Sequence, residues 1–279
     1  PPTPSLSRHG RYVPFEAPPT TLVGGDTNGM RDVFVHDRQT GATVRISVDS
    51  SGAQATGNSF APAISASGRF VAYDSAATDL VTGDTNAVRD VFLCDRLTGA
   101  TERVSVDGPG NQGDGDSTEP ALSADGDVVA FQSAASNLVA GDANGRTDVF
   151  VRSRSSGTTE RVSVDSLGNE GNGDSLAPDV SADGMVVAFA SAASNLVAGD
   201  TNAREDVFVT SLVHIESRVG ASTDDAEDQS GSTYLDSSDL ELGNGDGNEA
   251  EGMRLLGIAV HRGAATGAAW IEFQIAEAT

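Results

Sequence analysis

Residues 25–34 read GDTNGMRDVF, and the phrase returns as GDTNAVRDVF at 83–92, GDANGRTDVF at 141–150 and GDTNAREDVF at 199–208. Each copy begins 58 residues after the one before it, as the step from Gly25 to Gly83 shows. One proline per copy keeps the same step: Pro4, Pro62, Pro120 and Pro178. A fixed period of this size indicates a repeat architecture, in which one supersecondary unit stacks on its copies. Catalysis usually needs one position that differs from its copies, so the period also disfavours an enzyme.

The composition is strongly acidic. The 279 residues carry 41 Asp and Glu against 17 basic residues, all of them arginine, for a net charge of −24. Release of counterions from nucleic acid needs a basic surface, so the composition argues against nucleic acid and anionic membranes as partners. No apolar run approaches the roughly 20 residues that a membrane-spanning helix needs, so no membrane span is expected.

The second copy illustrates how one repeat is expected to fold. Residues 69–75 (RFVAYDS), 90–95 (DVFLCD) and 102–107 (ERVSVD) are rich in β-forming residues, and a Thr-Gly turn separates the last two runs. A short strand around Ile64 brings the count to four, and the Gly- and Asp-rich residues 108–119 are loop. Four antiparallel strands per repeat without a helical pattern predict a propeller blade. A solenoid of stacked β units is the alternative.

The run SASGRFVAYDSAATDL…DVFLCDRLTGATERVS resembles the blades of TolB-type β-propellers, which are related to WD-type propellers. In that family a Ser-x-x-Gly-Arg turn precedes a Val-Ala-Phe strand, and an Asp-Val-Phe-Val-x-Asp strand precedes a Thr-Gly turn. The resemblance covers all four copies. It implies an all-β fold, with a propeller-like array of four 58-residue, four-stranded blades in residues 1–222. The family usually has six blades, so a closed four-bladed ring, an open arc and part of a longer ring all remain open.

Each GDTN phrase carries an Asp–Asn–Asp set that resembles a calcium loop. The oxygen-bearing side chains stand at positions i, i+2 and i+6, and hard cations such as Ca²⁺ prefer such ligands. The candidate calcium ligands are Asp26, Asn28, Asp32, Asp84, Asn86, Asp90, Asp142, Asn144, Asp148, Asp200, Asn202 and Asp206. The absence of His and Cys from these sets excludes zinc and copper. The alternative is that these side chains only form turns with the backbone.

Two other recurring features have plainer interpretations. The acidic run GDGDS, with Asp114 and Asp116, is expected to be a solvated loop, because residues 56–59 of the preceding copy contain only Asn58. Arginine recurs in the last strand of the repeat, at positions 45, 103 and 161. A ring of guanidinium groups that grips an anionic ligand is one interpretation. Pairing of each arginine with nearby carboxylates explains the recurrence more simply, since every blade meets the same packing problem.

The repeat register ends after Phe208, and residues 223–279 have a different composition. The marks DDAE, SSDLEL and a Trp-Ile-Glu-Phe strand resemble the opening third of a jelly-roll module found on secreted bacterial proteins. Strands are expected at residues 238–242, 253–260 and 269–275. A partial module of this kind leaves unpaired strand edges. This C-terminal β segment therefore docks on the propeller, belongs to a longer chain, or is completed by another molecule.

These observations favour a non-catalytic structural or interaction protein, outside the bacterial cell or on its surface. We expect a calcium-stabilised propeller that assembles into an oligomer or fibre through strand contacts of the C-terminal segment. The alternative is an accessory module of a larger secreted enzyme that binds a glycan or a peptide. Glycan sites need exposed aromatic side chains, and Trp270, the only tryptophan, lies in an expected core strand. A glycan partner therefore has no support from the sequence.

Overall fold

The computed structural model describes residues 5–19, 22–202 and 204–212, together with the backbone of residues 258–262 and 269–273. The chain divides into two compact units, Pro1–His214 and Ile215–Thr279. The domain boundary predicted between residues 222 and 223 lies outside the described residues, as do the predicted strand at 238–242 and the DDAE motif.

The first unit contains four antiparallel sheets whose strands follow one another in chain order. The first sheet comprises β1 (Tyr12–Ala17), β2 (Asp32–Asp37) and β3 (Thr43–Arg45). The second comprises β4 (Ser59–Ile64), β5 (Phe70–Ser75), β6 (Asp90–Asp95) and β7 (Ala100–Arg103). The third comprises β8 (Ser117–Leu122), β9 (Val128–Ser133), β10 (Asp148–Ser153) and β11 (Thr158–Arg161). The fourth comprises β12 (Ser175–Val180), β13 (Val186–Ser191) and β14 (Asp206–Ser211).

The second unit shows one antiparallel hairpin, in which β15 (Ile258–Arg262) pairs with β16 (Ala269–Phe273). No helix occurs in the described part of the chain, which confirms the all-β fold class. The second and third sheets have the four strands that the sequence predicts. The first and fourth show three strands each within the described residues.

β5 begins one residue later than predicted, at Phe70, and the last strand of the second sheet differs from the prediction at both ends. The last strand of the second sheet was expected at residues 102–107, but β7 ends at Arg103. The reason is Ser105, whose hydroxyl accepts a hydrogen bond from the Val91 N–H at 3.0 Å and so replaces a ladder bond between strands. Val106 instead forms an isolated bridge with Gln112.

The sheets pack face to face, and the core lies between them. In β6 all six residues are buried, with Val91 and Leu93 on one face and Phe92 and Cys94 on the other. Both faces are apolar because each inner sheet has a neighbour on both sides. Within every sheet an aromatic pair from adjacent strands stacks at 5.7–6.1 Å between ring centroids.

In the second, third and fourth sheets, the proline that recurs every 58 residues lies in a β-bulge of the first strand. The residue before it has a left-handed backbone, with φ of 47° at Ala61, 53° at Glu119 and 50° at Ala177. Its N–H points to the preceding sheet, where a side chain of Glu16, Asp74 or Gln132 accepts it at 3.1, 3.3 or 2.8 Å. Proline suits a bulge because it has no N–H to leave unpaired in the ladder. The bulge therefore ties consecutive sheets together.

Candidate functional site

The GDTN phrases form the connections β1–β2, β5–β6, β9–β10 and β13–β14, and we call them the Asp loops. They span residues 25–32, 83–90, 141–148 and 199–206. The glycine that opens each loop has φ between 80° and 84°, a left-handed conformation that glycine adopts without strain. The last aspartate of each loop is the first residue of the strand that follows.

In the first three Asp loops both aspartates face one arginine from the outermost strand of the same sheet. The N–O distances are 3.0 and 3.5 Å for Arg45 with Asp26 and Asp32, 3.4 and 3.1 Å for Arg103 with Asp84 and Asp90, and 3.2 and 3.4 Å for Arg161 with Asp142 and Asp148. All nine side chains are buried, since the arginines are 8–9% exposed and the aspartates 0–4%. The recurring arginine therefore pairs with carboxylates, the simpler of the two interpretations of its pattern.

The asparagine of each loop presents its nitrogen, not its oxygen, to the last aspartate. Asn86 Nδ2 donates to Asp90 Oδ2 at 2.9 Å and to the Gly113 carbonyl at 2.9 Å. Its Oδ1 accepts the N–H of Val88, two residues further on, which is an Asx turn. The first, third and fourth loops repeat the contact between Asn and the last Asp. Turn chemistry, one of the two alternatives from the sequence, is therefore present in all four loops.

A serine that sequence reasoning missed completes the contacts of the last aspartate. Ser47, Ser105 and Ser163 each donate from Oγ at 2.6 Å, to Asp32, Asp90 and Asp148 respectively. All six residues are almost fully buried. The signal was available in the sequence, because these serines follow the recurring arginine by two residues in the first three copies (RIS, RVS, RVS).

The acidic run after the outermost strand is a loop with Asp114 and Asp116 exposed, as expected, but it also contacts the Asp loop. One position of this run is asparagine in the first copy and aspartate in the next two, namely Asn58, Asp116 and Asp174. Its Oδ1 accepts a backbone N–H of the Asp loop at 2.8–3.1 Å in each case. Asparagine and aspartate share this oxygen, so the copies agree in structure although they differ in sequence. A second side chain of each run also binds the Asp loop by accepting a backbone N–H from it. The pairs are Gln54 with Thr27, Gln112 with Thr85, and Glu170 with Ala143. Each of the first three Asp loops is therefore held by the loop that follows its own sheet.

The first three Asp loops each hold more negative than positive charge. One guanidinium faces two carboxylates, and in the third loop Glu170 adds a further carboxylate 3.0 Å from Arg161. Burial raises the pKa of Asp84 and of Asp142, although the neighbouring arginine opposes the shift. Asp26 Oδ2 and Asp84 Oδ1 are buried without a hydrogen bond in the described residues. A further cation would be attracted to such a loop.

The geometry fits a calcium ion only in part. Ca²⁺ takes about six to eight oxygen ligands, whereas each Asp loop offers two carboxylates and turns an amide nitrogen toward one of them. Within the described residues no group of three or more His, Cys, Asp or Glu side chains is placed to hold a metal. The arginine already supplies the positive charge that a bound cation would bring.

Comparison with known proteins finds no matching family model and no matching curated protein. Among solved structures, TolB from Acinetobacter baumannii has 17% identity and a TM-score of 0.47, with 75% of this chain and 40% of that chain covered. The putative TolB from Agrobacterium tumefaciens has 15% identity and a TM-score of 0.41, with 77% and 60% covered. The β-propeller domain of the trilobed protease from Pyrococcus furiosus has 10% identity and a TM-score of 0.45, with 75% and 54% covered.

The sheets are consistent with TolB-like propeller blades. The solved structures that the chain resembles are TolB and related β-propeller proteins, which agrees with the resemblance found in the sequence. The chain spans about two fifths to three fifths of the length of these propellers. The tricorn protease is also similar, at 16% identity, a TM-score of 0.47 and coverage of 75% and 17%. No helix in the described residues is both long and apolar enough to cross a bilayer.

Proposed function

We propose that this chain is a non-catalytic structural or interaction protein, built on a propeller array whose loops are braced by buried arginine–aspartate pairs. The observation that supports it is repetition. The first three sheets place the same arginine, asparagine, serine and two aspartates in the same contacts. A catalytic site needs groups that differ from their copies, whereas a bracing contact is useful in every sheet. The buried charge of these loops therefore supports the fold.

The arginine explains how a chain of charge −24 tolerates buried carboxylates. A buried carboxylate is costly unless it is paired and hydrogen-bonded. Asp90 accepts from Asn86 and from Ser105 and faces Arg103, so both its oxygens are satisfied within one repeat. The Asp loop is then fixed to the sheet from three directions. Such a loop is a rigid surface element and presents its backbone in one conformation.

Calcium at the twelve Asp and Asn residues of these loops is the competing proposal. The surplus negative charge of each loop and the unpaired oxygen of Asp26 favour it. The nitrogen of Asn86 that faces Asp90, and the arginine between the aspartates, favour bracing without a metal.

Thermal unfolding separates the two proposals. A ligand that binds only the native state stabilises it by about 2.7 kcal/mol per site at a concentration 100 times its Kd. If the loops hold structural calcium, chelator lowers the Tm of the whole chain by several degrees, and added calcium restores it. Arginine bracing gives the same Tm in chelator and in millimolar calcium, with magnesium as the ionic-strength control. A drop that only calcium reverses overturns the arginine proposal.

We further propose that the protein acts outside the cell or on its surface and that the C-terminal β segment, residues 223–279, contributes to self-assembly. The hairpin of β15 and β16 is the described part of that segment. A two-stranded hairpin is marginally stable alone, so its strands need partners. Light scattering of the whole chain and of a chain that ends at residue 222 tests the proposal. Equal masses for two folded proteins would remove the segment from the assembly.

A glycan- or peptide-binding accessory role is the alternative function. One surface cleft of about 640 Å³ is the feature that favours it. The cleft lies beside Pro109, Asn137 and Thr159, between the second and third sheets, and aromatic side chains are not part of its lining. A sugar would lack a stacking platform there, so a short peptide suits the cleft better.

A further inference from the structure

Each of the first three sheets packs its forward face, the face toward the next sheet in chain order, against that next sheet. In β2, β6 and β10 the second and fourth residues occupy this face and are 0–3% exposed: Val33, Val35, Val91, Leu93, Val149 and Val151. The corresponding residues of β14 are Val207 and Val209, which are 77% and 68% exposed. The forward face of the fourth sheet is therefore an apolar face that the first sheet does not cover.

The first sheet leaves the opposite face only partly covered, because Phe34 on that face is buried but its neighbours in β1 are not. In the second, third and fourth sheets the backward face carries an aromatic residue that is 0–3% exposed: Tyr73, Phe131 and Phe189. The corresponding residue of the first sheet is Phe15, which is only half-buried. Val13 is half-buried as well, whereas its counterpart Val71 is 0% exposed. The array thus ends in two faces of the kinds that meet at every internal junction.

At each internal junction, the first residue of β1, β5 or β9 packs against a glycine of the next sheet. We call this residue the knob. A Cβ added to Gly68 would stand 2.1 Å from the ring of Tyr12 in the sheet before it. A Cβ on Gly126 would stand 2.4 Å from Phe70, and one on Gly184 would stand 2.8 Å from Val128. These distances are too short for any side chain other than hydrogen.

Within the described residues, the fourth sheet has a knob that faces no glycine, and the first sheet has a glycine that faces no knob. Val186 is the knob position of the fourth sheet and is half-buried, and within the described residues of the first unit no later sheet packs on it. Gly10 is the glycine position of the first sheet, and a Cβ there would meet only the Arg38 guanidinium, at 3.5 Å.

One backbone hydrogen bond also joins each sheet to the next, at the same position of the repeat each time. Arg8 N–H donates to the Ala66 carbonyl at 3.0 Å, Ala66 to Ala124 at 2.9 Å, and Ala124 to Ala182 at 2.9 Å. Within the described residues, the N–H of Ala182 and the carbonyl of Arg8 have no such partner. One donor and one acceptor of the series therefore remain at opposite ends.

We propose that a second copy of this chain docks its first sheet on the forward face of the fourth sheet. This junction would repeat the three internal ones: Val207 and Val209 pack on Val13 and Phe15, and Val186 lies over Gly10. The N–H of Ala182 then donates to the carbonyl of Arg8 in the other copy. The contact joins two different surfaces, so it is heterologous and builds a ring or a filament. It rests on the proposed structural role but uses a surface other than the C-terminal segment, so the two can fail separately.

The test uses the whole chain and two end variants, each with a matched control. Val207→Asp places a carboxylate in the contact, and Leu167→Asp is its control at a loop residue that is 81% exposed. Gly10→Asn adds a side chain at the place where the knob of the other copy would pack. Asparagine tolerates the φ of 63° at this position. Gly99→Asn is the control, since its φ is 78° and an added Cβ meets no atom within 4 Å. Sedimentation is measured over a range of concentrations in about 0.5 M salt, which screens the repulsion between chains of charge −24.

The wild type and both controls are expected to grow in mass with concentration. Each end variant should weaken association about 100-fold. Val207→Asp would bury an unpaired carboxylate, and the side chain of Gly10→Asn would clash with the knob. The decisive measurement is a 1:1 mixture of Val207→Asp and Gly10→Asn. Each variant retains the end that the other lacks, so the mixture forms dimers that grow no further.

Three results would overturn the proposal. A wild type that stays monomeric at every concentration means that residues 213–279 of the same chain, or a different protein, cover Val207 and Val209. Assembly that survives Val207→Asp but is lost on removal of residues 223–279 assigns it to the C-terminal segment alone. Assembly that Val207→Asp abolishes and Gly10→Asn leaves intact means that two fourth sheets pair with each other.

Discussion

Replacing Arg103 with methionine removes the one cation that contacts the carboxylates of Asp84 and Asp90 within the described residues. The three side chains are 9%, 1% and 0% exposed, so solvent cannot take over the role of the guanidinium. Gln112 also loses one of the two donors to its Oε1, at 2.9 Å, and keeps the N–H of Thr85. Breaking a buried pair by removing one partner costs about 3–5 kcal/mol, because it leaves an uncompensated buried charge. We expect the free energy of unfolding to fall by that amount at pH 7.

The assay is urea unfolding followed by circular dichroism, without calcium. Arg154→Met is the comparison variant, since the pair of Arg154 with Glu102 is partly exposed, at 24% and 51%, and should contribute no more than about 1 kcal/mol. Adding Asp84→Asn and Asp90→Asn to Arg103→Met removes the stranded charges and should recover most of the loss. Lowering the pH should act in the same direction, because the pKa of Asp84 is already raised by burial.

A midpoint for Arg103→Met equal to that of the wild type would refute the reasoning. It would mean that Arg103 does not stabilise the folded state and that another cation neutralises the carboxylates of the loop. A loss for Arg103→Met that the two asparagine substitutions fail to recover would refute the electrostatic cause, and would assign the loss to the packing of the arginine stem.

Two further predictions concern single positions. Desolvation raises the pKa of Asp74 to about 6 from 3.8, so the folded state binds more protons than the unfolded state between those values. Stability should fall by about 3 kcal/mol as pH rises from about 4 to 6 and then level off; Asp74→Asn should flatten this part of a urea-midpoint series, and an unchanged slope would exclude Asp74 as its source. Gly126→Ala should cost about 1–3 kcal/mol more than Gly99→Ala, because both have φ near 80° but only the first places a Cβ against Phe70; equal losses in thermal unfolding would mean that the Phe70 ring moves aside.

The repeat, the blade and its central strands could be predicted because they depend on local pattern. The prediction of β6 matched at both ends, since DVFLCD alternates between two apolar faces and a turn follows it. The recurring proline was visible in the sequence, but the bulge before it was not. A left-handed residue such as Glu119 is held there by contacts with another sheet, and local propensity favours no such conformation.

The contacts of the Asp loops could be predicted only in part, because they join residues distant in sequence. Arg103 and Asp90 are 13 residues apart, and Asn86 and Gly113 are 27 apart. The sequence identified the arginine and the aspartates as recurring and left their partners open. The orientation of the Asn86 amide depends on the Gly113 carbonyl, which no motif records. The exchange of asparagine and aspartate at positions 58, 116 and 174 was misread, because the difference in charge concealed a shared acceptor oxygen.

The pairing of arginines inside the sheets has a consequence for assembly. Because Arg45, Arg103 and Arg161 are buried beside carboxylates, they do little to offset the acidic surface of a chain with net charge −24. Two such chains repel each other until salt or divalent cations screen them. Calcium can therefore promote the contact between Val207 and a second copy without entering any Asp loop. A change in Tm with chelator, measured at a protein concentration at which the chain is monomeric, locates calcium in the loops, whereas a change in mass without a change in that Tm locates it between the chains.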